Sequence, residues 1–160
     1  MAVAEIIGAA VGVLLLVVVA YLLVGGTLAT AETVITAQKE ITLLQESRIR
    51  TSTVITSAST DGTTISYSLK NTGNEIITDL PHLDVFSYNA TNGYTHYQYS
   101  KTVTADAGKW YILSFQDTLV HANALDPNVT LNGVAVLQSG DRPSKIQIIT
   151  GNGVSAEKTI

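Results

Sequence analysis

Residues 6–31 read IIGAAVGVLLLVVVAYLLVGGTLATA, without one charged side chain. Glu5 and Glu32 bound the run. A helix needs about 20 apolar residues to cross a hydrocarbon core of roughly 30 Å. In lipid a lone segment satisfies its backbone amides only as a helix. The stretch therefore predicts one transmembrane helix, with Ile6, Leu14, Leu15, Leu16, Val17, Leu22 and Leu23 meeting the lipid. A secretory signal would want a basic start and an apolar run of about 7–15 residues. MAVAE is acidic and the run is longer, so a retained anchor is expected over residues 1–31.

Moving outward, the apolar pattern outlasts the membrane segment. Val34, Ala37, Ile41 and Leu44 recur at three- and four-residue spacing, the seam of an amphipathic or coiled-coil helix. The same stripe runs back through Thr30, Thr27, Leu23, Ala20 and Leu16. Residues 32–50 are thus read as a helical stalk whose seam packs on a partner helix, on a second copy in a homodimer or homo-oligomer, or on the chain's own domain. Glu46 and Arg50 stand one turn apart and can pair. A continuous helix over about residues 4–48 is expected; Gly25-Gly26 and the many threonines weaken it, and a hinge near the glycine pair is the alternative.

From residue 51 the period changes from 3.5 to 2. Ile65, Tyr67 and Leu69 alternate with Ser66, Ser68 and Lys70. Asp61-Gly62 is a hairpin turn joining strands 51–58 and 63–71. Further strands are expected over 83–88, 94–101, 109–115 and 133–138. The chain closes on a hairpin, 145–150 and 154–158, around Gly151-Asn152-Gly153. Short strands at 8–12-residue spacing argue an immunoglobulin-like β-sandwich over residues 51–160, with a small barrel as the alternative. The fold class is a transmembrane α-helix plus an all-β domain.

Chemistry is sparse. A net charge of -4 disfavours nucleic acid as a partner. There is no cysteine, which removes disulfides, thiolate metal sites and thiol catalysis. His82, His96 and His121 lie too far apart in sequence to suggest a metal pair. Asp79 and Asp84 flank a turn and read as solvated carboxylates before they read as calcium ligands. Gly151-Asn152-Gly153 sits in a hairpin rather than ahead of a helix, so it is no phosphate loop. No enzyme, cofactor or metal is expected. Tyr94, Tyr97 and Tyr99 form an aromatic cluster, with Tyr97 and Tyr99 on one face of a strand, that reads first as core packing and second as a partner-binding face. Asn89 and Asn128 head Asn-x-Thr sequons and are candidate N-glycosylation sites. Lys39, Arg48 and Arg50 follow the helix, which by the positive-inside rule favours an internal domain. The sequons and the low-charge Thr/Ser/Tyr/Asn texture favour an external one.

The chain resembles the archaellum accessory proteins FlaF (ArlF) and FlaG (ArlG), more closely the former. The resemblance rests on Ala20-Tyr-Leu-Leu-Val-Gly-Gly-Thr-Leu28, Ala31-Glu-Thr-Val34 and Ala37-Gln-Lys-Glu40. It continues through Arg48-Ile-Arg-Thr51, Asn71-Thr-Gly73, Asp84-Val-Phe86 and Thr150-Gly-Asn-Gly-Val154. These motifs are short, and their order over most of the chain carries the likeness. The resemblance implies a static (stator) component of the archaellum rotary motor. It implies a single-pass protein of the cytoplasmic membrane with its C-terminal domain outside. It also implies contact with the surface-layer protein, with a FlaG-like accessory protein and with a second copy. Two other readings stand beside it: a filament subunit like an archaellin or type IV pilin, and an anchored extracellular binding module. A filament subunit would carry a basic leader before its apolar run, and MAVAE offers none.

Overall fold

A computed structural model describes residues 2–103, 106–116, 121 and 123–160. The chain divides into two compact units, Met1–Leu43 and Leu44–Ile160. One helix, α1, runs Ala2–Arg50. It is long and apolar enough to cross a membrane, with a mean hydropathy of 2.9 in its most apolar window. The helix is assigned without a break through Gly25-Gly26. Thr27, Thr30, Thr33, Thr36 and Thr42 each return their hydroxyl to a carbonyl three or four residues back, at 2.8–2.9 Å. Each polar side chain is thereby satisfied within the helix.

In the second unit α1 ends and eight strands follow: β1 Thr53–Thr60, β2 Thr64–Asn71, β3 Asp84–Asn89, β4 Gly93–Tyr99, β5 Lys109–Gln116, β6 Thr130–Val136, β7 Lys145–Ile149 and β8 Ser155–Thr159. Their order in the sheet is β1-β2-β6-β5-β4-β3-β7-β8. Every pairing is antiparallel except β4 with β5, which meet in parallel only at Gln98–Lys109 and Tyr99–Trp110. The short parallel link joins two antiparallel quartets, β1-β2-β6-β5 and β4-β3-β7-β8. Strands β1 and β8 also lie side by side, so the sheet nearly closes on itself. Lys158 Nζ donates to Thr56 O across that seam, at 3.3 Å. This is the immunoglobulin-like sandwich expected, curled toward the barrel alternative.

One core serves both quartets. Trp110, Tyr97, Ile55, Ile65, Leu69, Leu131, Ile146 and Ile148 are essentially inaccessible. Except at Leu131, whose neighbour Thr130 is buried as well, they alternate with exposed or half-buried residues along their strands, as a sheet with one wet face requires. The Asp61-Gly62 turn forms as read: Gly62 takes a φ of 89°, and Asp61 Oδ1 accepts from the Thr63 and Thr64 amides at 2.8 and 2.6 Å. Strand β6 begins three residues before the expected 133, because Thr130, Leu131 and Asn132 pair with both β2 and β5. Gly133 is a close-approach position, for the Tyr67 ring occupies the space where a Cβ would sit.

Candidate interaction face

The outward surface of the β4-β3-β7-β8 quartet follows from register. The turn after Asn89 sets Tyr88 opposite Tyr94 and Phe86 opposite His96. Both pairs are in ring contact, with centroids 5.0 and 4.9 Å apart. The next strand sets Lys145 beside Tyr88 and Gln147 beside Phe86. Lys145 Nζ bonds Glu157 Oε2 on β8 at 2.9 Å, which holds its pKa above the ordinary lysine value. At the far end His96 Nε2 meets Asp84 Oδ1 at 3.2 Å. Two aromatic rungs framed by opposite charges thus cross four strands. Tyr94 remains 60% exposed. Rigid amphipathic rings with little side-chain entropy to lose are the chemistry of protein–protein contact.

The tyrosine cluster separates into three environments. Tyr94 belongs to this outward face. Tyr97 points the other way, fully buried, with its hydroxyl 2.8 Å from Ser87 Oγ. Burial raises its pKa. As a partner contact Tyr97 is therefore corrected: a partner cannot reach it while the domain is folded. Tyr99 packs half-buried against Trp110 at 4.9 Å, beside Leu80, Pro81, Ile112 and Phe115. Sequence parity paired Tyr97 with Tyr99 correctly, but the face they share is the inner one. Tyr88, Phe86 and His96 were missed. The signal for them was the turn over 89–93, which fixes which residues stand opposite one another.

Among the acidic residues, Asp79 bonds His82 at 2.6 Å and Asp84 bonds His96. The Asp79 hydrogen bond raises the His82 pKa. His121 Nδ1 meets the buried Asp126 at 2.7 Å. Among the described residues no group of three or more His, Asp or Glu is placed to hold a metal ion. The sequons differ in environment. Asn128 is exposed. Asn89 is only 8% exposed, and its amide nitrogen, the atom a glycan would join, donates to Asp141 at 2.9 Å. On α1, Ile6, Leu14, Leu15, Leu16, Val17, Leu22 and Leu23, and the expected seam residues Val34, Ile41 and Leu44, are all exposed. Ala37 shares that seam and is exposed too.

No family model and no curated protein sequence matches the chain. Solved structures do match. The archaellum periplasmic stator protein FlaG from Sulfolobus acidocaldarius is similar at a TM-score of 0.53 and 21% identity, over 69% of this chain and 99% of that one. The archaellum periplasmic stator protein complex FlaF and FlaG from the same organism is similar at 0.53 and 20%, over 68% of this chain and 87% of that one. At this identity the likeness shows a shared fold. It falls on the FlaF–FlaG pair to which the sequence resemblance pointed. The match naming a single protein names FlaG, where the sequence leaned to FlaF.

Proposed function

We propose that the chain is a static component of an archaellum motor, of the FlaF–FlaG class. The observation that carries this reading is that a fold covering 99% of the FlaG chain stands in the same polypeptide as a helix able to span a membrane. Residues 1–31 anchor the protein in the cytoplasmic membrane, 32–50 form the stalk, and 51–160 lie outside as the contact domain. A stator resists torque by holding fixed partners. Contacts, rather than catalytic groups, are what that task needs. The surface-layer protein and the other member of the FlaF–FlaG pair are the partners, and the Tyr88/Tyr94 face is where they bind. The seam Val34, Ala37, Ile41 and Leu44 pairs with a second copy.

The test is binding of the full chain, in nanodiscs, to purified surface-layer protein. Saturable binding that Tyr94→Ser weakens at least tenfold supports the reading and its face, since interface aromatics commonly contribute 1.4 kcal/mol or about that much. Binding that survives Tyr94→Ser moves the face elsewhere. No binding by the folded chain overturns the surface-layer assignment.

A further inference from the structure

The end of α1 is built into the β domain at three places. The first is covalent: Arg50 leads through Thr51 and Ser52 into β1. The second is a backbone lock on the loop after β2. Arg50 O accepts from the Asn74 and Glu75 amides at 2.9 and 3.2 Å, and Ser52 O accepts from those of Thr72 and Gly73 at 2.8 and 3.0 Å. Gly73 is what lets the two segments approach, because a Cβ there would run into Arg50 O. Asn71, fully buried, braces the loop from beneath: it donates to Glu75 O and Leu125 O and accepts from the Gly73 amide. The third is a side-chain lock on the β7–β8 hairpin. Asn152 Nδ2 donates to Thr51 Oγ1 at 2.6 Å and to Ser47 Oγ at 3.4 Å, while its Oδ1 accepts from Thr150 Oγ1. Arg48 adds a bond to Gly153 O at 3.4 Å.

These three attachments reach different parts of the sandwich. Strand β1 ends the sheet order on one side, and its only ladder is with β2. Force delivered into β1 alone would load that single ladder. The loop after β2 takes up the same force one strand further in. The β7–β8 hairpin takes it into the other quartet. We infer that residues 44–52, 71–75 and 150–153 form a clasp that divides load arriving along α1 among β1, β2 and the β7–β8 hairpin. The inference goes beyond the motor reading and concerns this chain's own mechanics. Only its biological use depends on that reading.

The absence of native cysteine permits a direct test on the full chain in bicelles. Handles are placed at Lys39→Cys and Asn92→Cys, and opening is timed at constant force. The variant is Asn152→Ala, which removes the Asn152 bonds of the hairpin lock and leaves the 3.4 Å Arg48 bond, while Thr51 Oγ1 still has Ser47 O and Thr150 Oγ1 still has Val154 O. Asn89→Ala, which removes the hydrogen bond to Asp141 and the one accepted from the Thr91 amide, both away from the clasp, is the control. The clasp predicts that Asn152→Ala raises the opening rate about tenfold, against a much smaller rise for a control of equal or greater loss in urea stability. Equal rises at equal stability loss, or no rise with Asn152→Ala, overturn it. Gly73→Ala attacks the second lock and should open faster still. Should it fail to fold, Asn152→Ala decides the matter alone. Failure here leaves the motor reading standing, because surface-layer binding tests that separately.

Discussion

Tyr67 on β2 lies across Gly133 on the neighbouring β6, and its ring fills the space a side chain would take. Gly133→Ala therefore forces the ring or the strand to move. Overpacking of this kind costs about 1–3 kcal/mol, read as a lower urea midpoint at unchanged slope. Among the described residues the Tyr67 hydroxyl has no hydrogen-bond partner in its buried position, and burial pushes its pKa well above the ordinary phenol value. Tyr67→Phe should hence leave stability unchanged or raise it by up to about 1 kcal/mol. A large loss on Tyr67→Phe would show that the hydroxyl has a partner after all.

Tyr94 and Tyr97 stand three residues apart on one strand yet should respond oppositely. Tyr94→Ser removes an exposed ring and should change stability by less than about 1 kcal/mol. Tyr97→Ser empties a fully buried ring site and should cost roughly 3–5 kcal/mol, by analogy with aromatic truncations. Tyr97→Phe leaves Ser87 Oγ without its partner, at about 1 kcal/mol. Chemical denaturation of the three variants checks the order.

Acid should weaken the β1–β2 turn. Asp61 accepts two amides and two hydroxyls, which together hold its carboxyl well below the ordinary 3.8. A depressed folded pKa stabilises the fold at pH values above the unfolded pKa. That contribution fades as pH falls below about 4 toward the folded value. The midpoint of thermal unfolding should drop across this acid window, and Asp61→Asn should flatten part of the drop. An identical acid slope in the variant would assign the loss to other carboxylates.

Glycan occupancy should be unequal in a host that modifies sequons. Asn128 should carry the glycan, because it is exposed. Asn89 should not, because its nitrogen is already bonded to Asp141 inside the fold. Glycopeptide mass spectrometry distinguishes the two. Asn89→Ala should also cost about 1–3 kcal/mol by leaving a buried carboxylate short of a donor.

Much of this architecture is written in local pattern. The apolar run over 6–31, the alternation around Ile65, Tyr67 and Leu69, and the two glycine-bearing hairpins are short-range signals, and each element formed near its expected place. Strand order is different in kind. Nothing in the sequence announces that β6 inserts between β2 and β5, or that β4 meets β5 in parallel over only two residue pairs. Those pairings are settled by long-range packing around Trp110. The tyrosines show the same limit at the scale of a site: parity told which rings share a face, but not which face is wet. The roles of Gly73 and Asn152 depend on segments far apart in sequence meeting, and no local pattern carries that.

The apposition of β1 and β8 has a further consequence. These strands end the sheet order, and an exposed terminal edge is where sheet proteins polymerise by adding strand to strand. Here each terminal strand shields the other, and Lys158 caps a β1 carbonyl directly. Copies of the chain held at high local density are thereby kept from fusing through those edges into a continuous ladder. Whatever assembly they enter is left to faces and helices, where contacts stay discrete and reversible.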